Sequence, residues 1–170
     1  MKAAVITIST SVAAGRSEDR SGPALAELAQ EAGVEVVAIE RVGDDLRQIE
    51  ATLRRYATPE ADTPLVFTTG GTGLTPDDVT PEATRAVIDR DAPGFAEAMR
   101  AESLKHTPMG ILTRGVSGIA GRTLIINFPG NPKAIHELFG IVAPTLEHAV
   151  ATLQREPGRA ANHGARHPRN

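Results

Sequence analysis

The stretch Thr68–Thr84, TTGGTGLTPDDVTPEAT, decides how this 170-residue chain is read. The run that leads into it, Leu65 to Thr69, has the composition of a buried strand. Gly70, Gly71 and Gly73 follow at once. Glycines this close together remove side chains where backbone must pass tightly or take positive φ. Asp77 and Asp78 come next. Thr80-Pro81-Glu82 then opens a helix, with Thr80 as N-cap, Pro81 in the first turn and Glu82 near the positive end of the helix dipole. Strand, glycine turn, carboxylates and helix N-terminus suit a phosphate-bearing ligand. Bare N–H groups can face phosphate oxygens while a carboxylate holds a divalent metal beside them. The same pattern also fits ordinary turn chemistry. It contains neither the G-x-G-x-x-G dinucleotide fingerprint nor the G-x-x-x-x-G-K-[ST] phosphate loop.

Working outward, the remaining segments read as alternating strands and helices. Ala3 to Ser9 has the pattern of a central parallel strand, apolar on both faces. A polar loop, Thr10 to Arg20, leads to a helix over Ala24 to Ala32 that Gly33 stops. Val34 to Ile39 is a second strand. Asp44 is placed to cap a helix in which Leu46, Ile49, Leu53 and Tyr56 keep helical spacing. Beyond the glycine stretch come a helix from Pro81 to Asp89 and another carrying Phe95 and Met99. Ile111 to Gly115, Val116 to Ile119 and Thr123 to Asn127 read as short strands, with a hairpin and a return to the sheet centre. Phe128-Pro129-Gly130-Asn131-Pro132 is a second sharp turn, followed by a helix from Lys133 to Phe139, and Pro144 opens a last helix. Residues 155–170 lack a hydrophobic period and read as a disordered tail behind one domain, residues 1–154. The alternation implies a three-layer α/β/α fold with a mainly parallel sheet and a short antiparallel hairpin. Ligands of such sheets bind beyond the carboxyl ends of the strands. Arg41 to Asp45, Gly70 to Asp78 and Pro129 to Lys133 are the segments expected there.

Composition narrows the function. Aromatic residues make up only 3% and the net charge is −3. Base stacking and a basic surface are therefore both lacking, which argues against nucleic acid or an anionic membrane as partner. There is no cysteine, so thiolate catalysis and Cys-based zinc sites are excluded, and a cytoplasmic location fits. His136-Glu137 lacks the second histidine of a zinc motif.

Four separated motifs in order then make the reading specific: EDRSGPAL (Glu18–Leu25), VGDD (Val42–Asp45), PGFAEAMR (Pro93–Arg100) and NFPGNPKA (Asn127–Ala134), in addition to the opening stretch. Together they resemble the molybdopterin-binding family of molybdenum-cofactor biosynthesis, which includes the Mog/MoaB-type molybdopterin adenylyltransferases and the G domain of gephyrin-like proteins. The resemblance runs from Lys2 to about Leu153. It implies adenylylation of molybdopterin by MgATP, giving adenylyl-molybdopterin and pyrophosphate. Two acidic positions carry that chemistry in the family and match Asp44 and Asp78, which would act on magnesium held with ATP. Asp77 falls where the family is variable. Gly70, Gly71, Thr72, Gly73, Thr80, Pro129, Gly130, Asn131 and Lys133 are the implied phosphate and substrate contacts, with Ser9 as a further ATP contact. A homotrimer or a pair of trimers is also implied. Two departures stand out: Ser9-Thr10-Ser11 replaces an S-D-R type triplet, and Val42-Gly43-Asp44 replaces V-P-D. Read without the resemblance, Asp44 remains a possible helix cap, Asp78 a turn residue, Lys133 a solvated lysine and Ser9 a local backbone partner. A non-catalytic pterin-binding protein of the same family is the alternative function, and a competence-protein-like nucleotide pyrophosphatase shares the fold.

Overall fold

A computed structural model describes residues 1–155. The tail expected over 155–170 lies, from residue 156 on, outside the described residues. Among the described residues the sheet has six strands in the order β2-β1-β3-β6-β5-β4. These are β1 (Lys2–Ile8), β2 (Glu35–Val42), β3 (Leu65–Thr69), β4 (Arg90–Asp91), β5 (Ser117–Ala120) and β6 (Thr123–Phe128). The first four in sheet order run parallel, and β5 lies antiparallel to β6 and β4.

Among the described residues the α-helices are α1 (Thr10–Ala13), α2 (Ser21–Glu31), α3 (Leu46–Tyr56), α4 (Thr80–Val87), α5 (Gly94–His106) and α6 (Pro132–Leu153). Helices α2, α5 and α6 cover one face of the sheet, over a core of Val5, Phe67, Ile126, Phe139 and Leu146. Helices α3 and α4 cover the other, over Ile6, Val66, Ile49, Leu53 and Ile125. The α/β/α sandwich expected from the alternation is therefore present. Its central strands are buried on both faces, which is why β1, β3 and β6 read as unbroken apolar runs.

Four local readings change. Pro144 does not open a new helix: α6 runs unbroken through it. Pro144 and the Gly140 carbonyl that loses its N–H partner lie on the exposed side. Water can satisfy that carbonyl, while Leu138, Phe139, Val142 and Leu146 stay buried opposite. Ile111 to Gly115 is not a strand. Pro108 starts a 3-10 turn over Pro108–Leu112 with Thr107 as its cap, and Ile111 is left 68% exposed. The loop after β1 begins with the short helix α1, capped by Ser9. The two-residue strand β4 pairs with the hairpin and has no apolar signal in the sequence, because both its residues are charged and exposed.

Register places the site. In β2 an extra residue, Val37, interrupts the pairing with β1, so that Ala3 faces Val36 but Ala4 faces Ala38. Past this bulge Ile8 pairs with Val42. The two strands thus end level, and the residues after them arrive side by side.

Candidate active site

The carboxyl ends of β1, β3 and β6 are adjacent, and the turns that follow them pack on one another. Gly70 has φ +98°, and a Cβ there would stand 2.3 Å from the Ile8 carbonyl oxygen. Gly130 lies against it in turn: an added Cβ would come within 3.3 Å of the Gly70 Cα. The Gly70 N–H donates to the Phe128 carbonyl at 3.3 Å, and the Thr69 hydroxyl to the Pro129 carbonyl at 2.8 Å. The glycine turn after β3 is therefore clamped between the ends of β1 and β6 by contacts that leave no room for side chains.

Within this turn Gly71 also has positive φ, +62°. Its carbonyl accepts the Thr80 N–H at 3.1 Å, and the Thr72 carbonyl accepts the Arg114 N–H at 2.8 Å. Among the described residues, neither the Gly71 nor the Thr72 N–H is taken by a protein acceptor. These are the donors that the turn offers to an anion.

Thr80 is not an N-cap. Helix α4 has Val79 in that position with no side-chain cap, and Thr80 is its first residue, fully buried. The Thr80 hydroxyl donates to the Gly70 carbonyl at 2.9 Å. Its N–H is also occupied, and Pro81 has none, so this helix end presents few donors. Thr80 shapes the turn from beneath.

Asp78 is held by the loop that bears it. Its Oδ2 accepts from the Thr75 N–H at 2.8 Å and the Thr75 hydroxyl at 2.7 Å. Partial burial is the largest single influence on its carboxyl and pushes the pKa up. The Thr75 hydroxyl and N–H, the Gly73 N–H and nearby Arg114 together outweigh it, and the net shift is downward. Asp78 is therefore ionised at neutral pH. Gly73 is glycine for the same contact, since a Cβ would stand 2.9 Å from Asp78 Oδ2.

Asp44 is likewise not the cap of α3. Asp45 is, accepting from the Gln48 N–H at 2.8 Å. Asp44 instead turns to the β1–α1 junction, where Oδ2 accepts the Thr10 N–H at 2.7 Å. Asp44 and the Gly70–Asp78 loop thus attach to β1 from its two sides, one at Thr10 and the other at Ile8. Ser9 caps α1, accepting from the Val12 N–H at 3.4 Å, and lies between them.

On the β6 side, Asn131 caps α6 through Oδ1, which accepts the Lys133 N–H at 3.0 Å. Among the described residues, its Nδ2 has no hydrogen-bond partner. The Lys133 side chain is 84% exposed, with Nζ 3.8 Å from Glu137. Behind this turn is a cavity of about 210 Å³ with Met99 and Leu138 as apolar walls and Arg100, Ser103, Thr113 and Asn131 as polar ones. A second, of about 420 Å³, shares Arg100 and Gly115 with it and adds Arg85 and Arg114 beside Asp91 and Glu97.

No sequence motif picks out Arg114. Its Nε donates to the Gly73 carbonyl at 2.8 Å and its Nη2 to the Asp78 carbonyl, while Nη1 pairs with Glu82. Nothing local in the segment Thr113-Arg114-Gly115 signals a contact reaching back 41 residues. Among the described residues no three histidine or acidic side chains gather as a metal-ligating set. The donor types of Asp44 and Asp78 suit a cation shared with ligand oxygens.

An open α/β sheet whose carboxyl edge carries a glycine turn with two open N–H groups and two loop-held carboxylates has the layout of a ligand-binding edge, and its donors suit phosphate oxygens. The chain belongs to the molybdopterin-binding family: residues 4–148 match the family model described as "Probable molybdopterin binding domain". It is 40% identical over 147 residues to the molybdenum cofactor synthesis protein cinnamon of Drosophila melanogaster, spanning 86% of this chain and 24% of that protein's length. The identity is also 40%, over 148 residues, with the molybdopterin adenylyltransferase of Helicobacter pylori strain J99, covering 86% of this chain and 84% of that one. The crystal structure of the molybdopterin biosynthesis enzyme MoaB from Thermus thermophilus superimposes with a TM-score of 0.84 and 42% identity, over 92% of this chain and 98% of that one. No helix among the described residues is long and apolar enough to cross a membrane.

Proposed function

We propose that this protein adenylylates molybdopterin in molybdenum-cofactor biosynthesis, consuming MgATP and yielding adenylyl-molybdopterin and pyrophosphate. The observation that carries the proposal is the attachment of the Asp44 and Asp78 loops to the two sides of β1, with the open Gly71 and Thr72 N–H groups in the turn that bears Asp78. Family membership and the adenylyltransferase relatives support it.

The chemistry asks little of a general base, because the nucleophile is already an anion. An oxygen of the terminal phosphate of molybdopterin bonds to the α-phosphorus as the bond to the bridging oxygen breaks, and that electron pair leaves with pyrophosphate. The protein's work is to bring two polyanions together and offset charge on the transferring group. Asp44 and Asp78 would hold Mg²⁺ brought in with ATP, and the ion would neutralise phosphate charge. The Gly71 and Thr72 N–H groups hold a phosphate. Pro129 and Asn131, on either side of Gly130, border the cavity beneath α5, whose apolar walls and sparse polar groups suit the flat pterin. Lys133, in the first turn of α6, adds an exposed positive charge. Ser9 is an ATP neighbour by position alone, because its N–H goes to the Val42 carbonyl and its hydroxyl caps α1.

The finer setting is proposed too: a cytoplasmic homotrimer or trimer pair. The cysteine-free composition and the exposed Leu104, Met109, Ile111 and Leu112 support it. The test is magnesium-dependent pyrophosphate release requiring both ATP and molybdopterin, with light scattering for the assembly. Tight pterin binding without release would indicate the non-catalytic binding protein instead.

A further inference from the structure

We propose that Thr10 is the positioning residue for Asp44, aiming its carboxylate by a reciprocal pair of hydrogen bonds. The Thr10 N–H donates to Asp44 Oδ2 at 2.7 Å, and the Asp44 N–H donates to Thr10 Oγ1 at 2.9 Å. One residue thus grips both the side chain and the backbone of the other. This role rests on the proposed function, in which Asp44 acts on MgATP.

The loop around Asp44 has little else to hold it. Gly43 packs loosely: a Cβ there would meet only Thr10 Oγ1, at an ordinary 3.6 Å. The Asp45 side chain is taken up by its cap on α3, and its N–H closes a tight bend on the Gly43 carbonyl at 2.8 Å. Among the described residues, no group donates to Asp44 Oδ1. One carboxylate oxygen is therefore fixed and the other left open.

Thr10 itself is rigidly placed. It opens α1 directly after the Ser9 cap, and the Ser9 N–H donates to the Val42 carbonyl at 2.9 Å, one residue before Gly43. The bulge at Val37 is what brings these two strand ends level. A flexible glycine link that must aim a carboxylate is thus steadied from the neighbouring strand end. Partners that hydrogen-bond a ligating carboxylate typically govern metal affinity or activity by roughly 10- to 100-fold.

The test uses Thr10→Val, which keeps the shape and the N–H but loses the hydroxyl, and Thr10→Ser, which restores it. Hydrogen–deuterium exchange reads the grip without any activity: the Asp44 amide should exchange faster in Thr10→Val and at the wild-type rate in Thr10→Ser. MgATP affinity by calorimetry should fall by roughly tenfold in Thr10→Val. Its kcat should fall by at least roughly tenfold with KM for molybdopterin unchanged. In an Asp44→Asn background the same change should add almost nothing, because coupled residues are not additive. An unchanged Asp44 exchange rate, or MgATP affinity equal to wild type, overturns the positioning role whether or not turnover is seen. Full activity in Thr10→Val overturns it as well. Absence of turnover in the wild type, with MgATP affinity still dependent on the Thr10 hydroxyl, instead overturns the adenylyl-transfer reading alone.

Discussion

Arg114 Nη1 lies 2.5 Å from Glu82 Oε1, and through this ion pair the segment entering β5 is locked to the first turn of α4. The same guanidinium reaches the Gly73 and Asp78 carbonyls, one at each end of the carboxylate loop. The Glu82 carboxyl is held below its usual range chiefly by this arginine. A single planar fork therefore sets the shape of the loop that carries Asp78.

Replacing Arg114 should accordingly disturb geometry more than charge. Arg114→Lys retains the cation but cannot reach three acceptors at once. It should lower adenylyl transfer by up to about a hundredfold, the scale of a misplaced catalytic group. Crystallography or exchange protection of residues 73–78 should show the loop loosened. Near-normal turnover in Arg114→Lys would mean that the loop holds its shape through Thr75 alone.

Variants at Asp44 and Asp78 should separate chemistry from binding if the two carboxylates act on MgATP as proposed. Asp→Asn keeps the shape and removes one charge from the proposed metal site. Metal stabilisation of phosphoryl charge is worth several kcal/mol, so a loss of about 3 kcal/mol would slow turnover more than about a hundredfold. Molybdopterin affinity, measured by fluorescence quenching, should change little in Asp44→Asn and Asp78→Asn. Asp77→Asn is the control and should behave as wild type, because Asp77 is exposed and makes none of the Asp78 contacts. A parallel loss of affinity and rate would point to a structural role.

The two positive-φ glycines of the turn after β3, Gly70 and Gly71, should differ in severity. At Gly70 a methyl group meets the backbone carbonyl of Ile8, which cannot move without shifting β1. At Gly71 it meets the Thr80 hydroxyl at 2.3 Å, a side-chain atom with some freedom to turn. Gly70→Ala should therefore destabilise by about 2–3 kcal/mol in urea unfolding and Gly71→Ala by less, on the scale of strained backbone. Both should weaken ligand binding. Equal stability of Gly70→Ala and wild type would contradict the close approach of the two strand ends.

Tyr56 supplies a pH test of the α3 face. It is the only tyrosine, and there is no tryptophan. Its phenol is pushed up to about 12, first by burial and then by its hydrogen bond to Glu40. The folded value lies above the unfolded one, so this contribution to stability is complete below about pH 10 and is lost as pH rises through about 12. Ultraviolet difference titration of the folded protein should show one ionisation near the upper value. Glu40→Gln should bring it part of the way back, since burial remains. A midpoint at the ordinary tyrosine value in the folded wild type would mean that the phenol is solvated.

The sequence by itself determined the layers, the buried central strands and the glycine turn. Strands covered on both faces must be continuous apolar runs, and Leu65–Thr69 matches the strand as read. It also marked both acidic loops, because Asp44 and Asp78 lie within contiguous motifs. What it did not decide were contacts between segments remote in the chain. Asp44 and Asp45 are equivalent as caps on local grounds, and only the approach of Thr10, 34 residues away in sequence, separates them. Thr80 has the residue type of a cap, yet the Gly70 carbonyl folded above it takes its hydroxyl. Pro144 breaks helices in isolation, but burial of the opposite face carries α6 through it. Arg114 has no local signature at all. Local propensity is a matter of a kcal/mol or less per residue, so tertiary packing and long-range hydrogen bonds override it wherever the sheet brings distant ends together.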